Sequence, residues 1–191
     1  MITTIKKICS VFILCSLLFS CDSKEKKEDD KLSSDSTKNE KSKDVESNGI
    51  SEGGKKDFAT GMKTTYDGLS FDEIYLLNEN KQKVTNTEFK LESKVLFDVV
   101  GIKGYKSENG KVHVGISVDV ADESGKIIIN LDDLLADKAE GYNEKDASEL
   151  TASLTVGKPM EVGKKYFVKA RFWDKKGKGE IKSEVEITLV K

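Results

Sequence analysis

The sequence predicts an all-β domain, an antiparallel β-sandwich of about seven strands into which one short helix is inserted. Apolar residues recur at every second position in several short stretches, which is the period of a half-buried strand. Turn-forming pairs such as Asn109-Gly110 and Ser124-Gly125 separate these stretches. The formal net charge is −2. This charge argues against nucleic-acid binding, which requires a basic face.

The chain opens with a segment typical of a secretory signal. Lys6 and Lys7 precede an apolar run that extends from Ile8 to Ser20. This run is too short to span a bilayer, but it matches the apolar core of a signal peptide. Its end, Leu18-Phe19-Ser20-Cys21, resembles the lipobox of bacterial lipoproteins. We therefore expect residues 1–20 to be a lipoprotein signal peptide.

The lipobox resemblance implies a covalent anchor, diacylglycerol and palmitate on Cys21, and membrane attachment through it. Several acyl chains are needed because one chain alone binds a membrane only marginally. A secretory signal with a chance cysteine, or an uncleaved anchor, is the alternative. Cys9 and Cys15 lie in the segment that would be removed. The mature chain would therefore contain no disulfide and no cysteine-based metal site, and we expect no other cofactor.

A charged tether, residues 21–57, is predicted to follow the signal peptide and to begin at the lipidated cysteine. Lys, Glu, Asp, Ser, Asn and Gly dominate it, and the first aromatic residue after Cys21 is Phe58. Such a segment cannot bury enough apolar surface to offset its ordering entropy, so we expect it to be disordered. Residues 58–191 then form the folded domain.

Two features after Cys21 concern localisation. Asp22 resembles an inner-membrane retention signal of some lipoproteins, whereas the acidic cluster 28–30 resembles a surface-export signal of others. We expect a protein that is lipid-anchored in the cell membrane, with the outer membrane or cell surface favoured over the inner membrane.

The strands of the folded domain are predicted from alternation of apolar and polar residues. In chain order they occupy residues 69–77, 89–99, 112–120, 127–129, 150–156, 166–172 and 185–189. One region breaks the alternation: Asn130 is a candidate N-cap, acids follow it, and Gly141 is a stop signal. These features predict a helix over 131–140 whose leucines face the sheet.

The last part of the chain resembles immunoglobulin-like and fibronectin type III domains. In residues 162–168, Gly163 precedes Tyr166 by a few positions. In those domains such a tyrosine lies at the corner between strands E and F, and its hydroxyl bonds to backbone upstream. Residues 170–177 resemble the final hairpin of such domains. The resemblance implies an immunoglobulin-like architecture, which does not define a function.

No catalytic residue is predicted. His113, the single histidine, shares a predicted strand face with Ser117 and Asp119. Residues four apart on a strand are separated by about 13 Å, whereas a nucleophile and its base must come within about 3 Å. We therefore interpret His113 as a solvent-facing side chain.

The acidic residues of 131–149 have three readings. They are interpreted as solvated charges, since acids favour helix N-termini in any case. Calcium binding is an alternative, but the D-x-D-x-D-G spacing of calcium loops is missing, so no metal site is predicted. A hydrolase that uses these acids is a further alternative. We do not favour it, because we expect so small a sandwich to have no cleft for a substrate.

The candidate contact residues are Trp173, Lys175 and Lys176. An exposed tryptophan can anchor a protein partner or a sugar ring, although Trp173 could instead pack under the predicted helix. The sequence favours a monomeric, lipid-anchored, non-catalytic envelope module that binds an envelope protein or glycan, or that has a structural role. The alternative is a small-ligand or carbohydrate site near Trp173 and residues 131–149.

Overall fold

A computed structural model of the chain describes residues 52–191. These residues form ten β-strands and no helix. In chain order the strands are β1 (Glu52–Lys56), β2 (Lys63–Asp67), β3 (Glu73–Leu77), β4 (Glu88–Lys90), β5 (Lys94–Val100), β6 (Val114–Asp122), β7 (Ile127–Leu131), β8 (Glu149–Thr155), β9 (Lys165–Asp174) and β10 (Glu180–Val190). The all-β prediction is confirmed.

The strands form two sheets that bury one apolar layer between them. The larger sheet has seven strands in the order β1-β2-β10-β9-β6-β7, and β4 is attached in parallel to the end of β10. The smaller sheet has the order β3-β5-β8 and is antiparallel. Phe172 of β9 and Phe97 of β5 are fully buried and belong to the same apolar cluster. The arrangement is sandwich-like.

Alternation along the strands explains which side chains reach this core. In β6, β8, β9 and β10 every second residue is buried, because successive side chains point to opposite faces of a sheet. The predicted turns are also present. Asn109 and Gly110 both have positive φ, and Glu108 and Lys111 pair across them.

The predicted strand 89–99 is wrong as a single element. Phe89 lies in β4, which pairs with β10 in the larger sheet, whereas β5 pairs with β3 and β8 in the smaller one. Glu92 separates the two strands with a φ of 68°. The chain crosses from one sheet to the other there, and alternation alone does not reveal such a crossing.

The hairpin β1–β2 was not predicted. β1 occupies residues assigned to the end of the tether, and all five of its residues pair with β2. In turn, β2 pairs with β10, where the hydroxyls of Thr64 and Ser183 are buried and hydrogen-bonded at 2.8 Å. The folded region therefore includes residues 52–57. The predicted signal peptide, Cys21 and the rest of the predicted tether lie outside the described residues.

The helix predicted over 131–140 is wrong. Asn130 and Leu131 continue β7, and the Asn130 side chain donates to the Asp119 carboxylate across the strand pair. Residues 134–137 form a turn in which the Asp133 side chain accepts the Leu135 N–H. The residues that were predicted to cap and begin the helix are therefore paired with β6 as part of a strand.

The Tyr166 hydroxyl makes the bond that the sequence resemblance implied. It accepts the backbone N–H of Glu161 at 2.8 Å, while the ring is buried at the start of β9. Gly163, in the loop before β9, has a φ of 80° and donates its N–H to Leu189. The loop is therefore fastened to both β9 and β10. Within residues 52–191 no helix could cross a membrane.

Candidate functional site

The outer face of the larger sheet carries paired charges on neighbouring strands. Lys169 of β9 lies opposite Glu184 of β10, and their charged groups are 2.9 Å apart. Arg171 lies opposite Lys182, and both side chains pair with the Glu180 carboxylate, Arg171 at 2.8 Å. Opposite charges that face each other on adjacent strands stabilise the pairing of β9 with β10.

Glu180 is held ionised between these two cations. Partial burial acts to raise the pKa of its carboxyl, but hydrogen bonds from Lys182 and Arg171 outweigh burial and lower that pKa. Arg171 is therefore positioned by a carboxylate whose ionised form is favoured by its two partners. This matters because Arg171 also contacts the single tryptophan.

Trp173 lies on this outer face, half-buried, because the adjacent Phe172 points into the core. The indole rests on Gly115 of β6, where an added Cβ would come within 2.1 Å of Cε2. The Arg171 guanidinium carbon is 4.7 Å from the ring centroid, within cation–π range. Trp173 is thus held between a glycine and an arginine.

A shallow groove of about 430 Å³ adjoins this stack. Arg171, Lys169 and Lys182 line it together with Ser117 and Asp119 of β6. The groove crosses strands that are paired in register, so the backbone positions of its lining residues are fixed relative to one another. It can offer cations, a hydroxyl and a carboxylate to a polar ligand.

Lys175 reaches the segment after β7. Its ammonium group is 2.6 Å from the Asp133 carboxylate and donates to the Leu135 carbonyl at 3.0 Å. Burial acts to raise the pKa of Asp133, but the hydrogen bonds from Lys175 and the Leu135 N–H, together with the Lys175 charge, outweigh burial and lower that pKa. Lys175 therefore fastens this segment to the end of β9.

Lys176 forms an ion pair that is separate from those of Arg171 and Lys175. Its ammonium group is 3.5 Å from Glu108, in the turn before β6. The three residues predicted as contacts thus belong to three separate interactions, of which only that of Trp173 lies on the outer face of the sheet. The structure does not gather them into one site.

Asp174 is a structural residue that the sequence analysis missed. It is buried, and its carboxylate accepts the backbone N–H groups of Lys106 at 2.6 Å and Lys176 at 2.9 Å. An added Cβ at Gly177 would come within 2.3 Å of this carboxylate. Asp174 falls at an inward position of the β9 alternation, and that signal could have identified it.

His113 and the acids of 131–149 are not brought into a reactive arrangement by any described contact. His113 lies just before β6, its carbonyl accepts the Lys175 N–H, and its ring is close to Gly141. The Asp119 carboxylate accepts the Asn130 amide. Within residues 52–191, no three His, Cys, Asp or Glu side chains are grouped as a metal site requires.

Neither the protein-family models nor the curated proteins with which the chain was compared give a match.

Proposed function

We propose that the chain is a lipid-anchored, non-catalytic binding or structural module of a bacterial cell envelope, built as an immunoglobulin-like sandwich. The observation that carries the binding function is the Trp173–Arg171 stack on the ion-paired outer face of the larger sheet. Tryptophan and arginine are enriched among the residues that dominate protein–protein binding energy.

The immunoglobulin-like assignment is supported by strand order. In chain order, β3, β5 and β8 correspond to strands A, B and E, while β6, β9 and β10 correspond to C, F and G on the facing sheet. Tyr166 then begins strand F, where these domains have their corner tyrosine. The chain departs from the pattern through β4 and the β1–β2 hairpin, and by lacking the Cys–Trp–Cys set of antibody domains.

The geometry favours a protein partner for the outer face over a stacked sugar ring. The guanidinium of Arg171 lies over the indole and Gly115 lies beneath it. A sugar would have to displace Arg171 from both Trp173 and Glu180 before it could stack. A protein surface, in contrast, can pack against the stack as it stands.

Crosslinking on intact cells tests the binding function. We expect a captured envelope component to be lost, or reduced about tenfold, in Trp173→Ala and Arg171→Ala, as for residues at the centre of an interface. Arg171→Ala leaves the indole on Gly115, so loss there cannot be attributed to a gap under Trp173. Lys145→Ala, in an exposed turn elsewhere, is the control. Equal capture by all four chains would contradict the proposal.

The anchor is proposed from the lipobox resemblance at Leu18–Cys21. We expect radiolabelled palmitate to be incorporated into the chain in a bacterial host and to be absent from Cys21→Ala, which lacks the acceptor thiol. Cys9→Ala is the control, because its thiol lies in the leader. Equal labelling of the unchanged chain and Cys21→Ala would refute the anchor without affecting the binding function.

A carbohydrate ligand in the groove beside the stack is the second candidate. The groove of about 430 Å³ and its polar lining favour it. Because Trp173 is the only tryptophan in the chain, its fluorescence reports directly on ligands that reach Arg171. A saturable change with an oligosaccharide, abolished in Arg171→Ala, would support this candidate over a protein partner.

A further inference from the structure

The open side of the sandwich, between the β1–β2 hairpin and β3, carries a protruding aromatic side chain. Phe58 is 90% exposed, which is the largest value among the described apolar side chains. It lies in the turn between β1 and β2. A single exposed apolar side chain is ordinary, so the way it is held decides whether it matters.

Hydrogen bonds within the turn fix the backbone on either side of Phe58. The Asp57 side chain accepts the Ala59 N–H at 2.9 Å and the Thr60 hydroxyl at 2.7 Å. Asp57 also donates its N–H to the Met62 carbonyl at 2.9 Å. Met62 itself is buried in the core. Phe58 therefore projects from a hydrogen-bonded turn that is connected to the core through Met62.

A recess of about 390 Å³ lies beside this turn. Met62, Ile74, Leu76 and Val84 contribute apolar side chains to it. It lies where β2 of the larger sheet and β3 of the smaller sheet approach each other without pairing. A protrusion and a recess of apolar character thus adjoin on one side of the molecule.

Three lysines surround this side, and each lies against an aromatic ring. The ammonium groups of Lys55, Lys56 and Lys83 are 4.4, 5.9 and 3.5 Å from the ring centroids of Phe71, Phe58 and Tyr75. None of the three is within ion-pairing distance of a carboxylate in the described part of the chain. Glu73 and Asp57 also line the recess, so three lysines face two carboxylates there and the balance is positive. The surface offers positive charge.

We propose that this open side docks an extended, acidic segment of another protein that carries an apolar side chain. The apolar side chain would enter the recess beside Phe58, and the acids would pair with Lys55, Lys56 and Lys83. Among residues 52–191, β1 is the outermost strand of its sheet on this side, so an extended segment can also hydrogen-bond to its outer backbone edge.

The same observations disfavour two other occupants. A second copy of the chain would bring its lysines against these lysines, and like charges oppose such an interface. An anionic bilayer would attract the lysines and Phe58, but a lipid surface does not insert a defined side chain into the recess. Both occupants are outcomes of the test below.

The test uses the chain from residue 21 onward with Cys21→Ala, and a fluorescent peptide in which Glu alternates with Val. We expect saturable binding that weakens with salt, and no binding of the peptide with Gln in place of Glu. Phe58→Ala and the double variant Lys55→Glu/Lys56→Glu should each weaken binding at least about fivefold. Leu91→Ala is the control for Phe58→Ala, and Lys138→Glu/Lys145→Glu, exposed elsewhere, is the charge-matched control for the double variant.

Three outcomes would overturn the proposal. The first is equal binding of the Glu and Gln peptides, or no binding of either up to about 1 mM. The second is Phe58-dependent binding to phosphatidylglycerol vesicles without peptide binding. The third is Phe58-dependent dimerisation in sedimentation. Circular dichroism of each variant checks that its fold is retained, and the Trp173 face is unchanged in all of them.

Discussion

At the scale of single residues, Tyr166 does more than fill the core. Its ring is buried at the start of β9, and its hydroxyl accepts the Glu161 N–H from the preceding loop. Replacing the hydroxyl removes the acceptor while the N–H stays in the loop. A donor left without a partner costs more than the mean value of a hydrogen bond.

We expect Tyr166→Phe to lower the free energy of unfolding by about 1–2 kcal/mol, because the ring is retained and only the hydroxyl is lost. Urea unfolding followed by Trp173 fluorescence measures this. Tyr75→Phe is the control, since the Tyr75 ring is half-buried in the smaller sheet and makes no described hydrogen bond through its hydroxyl. An equal loss in both variants would show that the bond to Glu161 contributes nothing specific.

At the scale of elements, strands with their own alternation were predictable and those defined by a partner were not. β6, β8 and β9 alternate clearly and were predicted close to their observed bounds, whereas β10 was predicted over 185–189 and begins five residues earlier, at Glu180. β1 has the sequence Glu-Gly-Gly-Lys-Lys and contains no apolar residue. It is a strand because β2 pairs with it, and no local pattern in the sequence carries that information.

The candidate site also has features that the sequence predicts and features that depend on long-range pairing. The outward position of Trp173 follows from the inward position of Phe172, which alternation predicts. The contact of the indole with Gly115 depends on the register between β6 and β9, which is a long-range property. The recess beside Phe58 depends on two sheets that do not pair there, so the sequence alone could not indicate it.

At the scale of the whole molecule, the end of the core beside β9 contains a tyrosine that resists ionisation. Tyr105 is buried and donates its hydroxyl to the Ala147 carbonyl at 3.3 Å. Burial, with a smaller contribution from the Asp174 charge, raises the pKa of Tyr105 far above its usual value near 10. The folded state therefore retains this proton when the unfolded chain loses it.

Stability should consequently fall as the pH rises above about 10, because the folded state binds more protons there than the unfolded state. Below that pH, Tyr105 is neutral in both states and has no effect on the pH dependence. We expect Tyr105→Phe to flatten the alkaline decline, measured by urea unfolding between neutral pH and about pH 11. The neutral-pH value of the same variant isolates the lost bond to Ala147. An unchanged alkaline slope would contradict the assignment.

The position at which the chain enters the domain has a mechanical consequence. The preceding residues join at Glu52, which is paired with Asp67 at one end of β1, while the Phe58 turn lies beyond the other end. Suppose the chain is held at Cys21 and a partner pulls on the turn. The tension then runs along β1, at right angles to the hydrogen bonds that join β1 to β2. Both pulling points lie at the ends of β1, so the covalent backbone of β1 carries the tension. The hydrogen bonds to β2 are not loaded, and the force bypasses the rest of the sandwich.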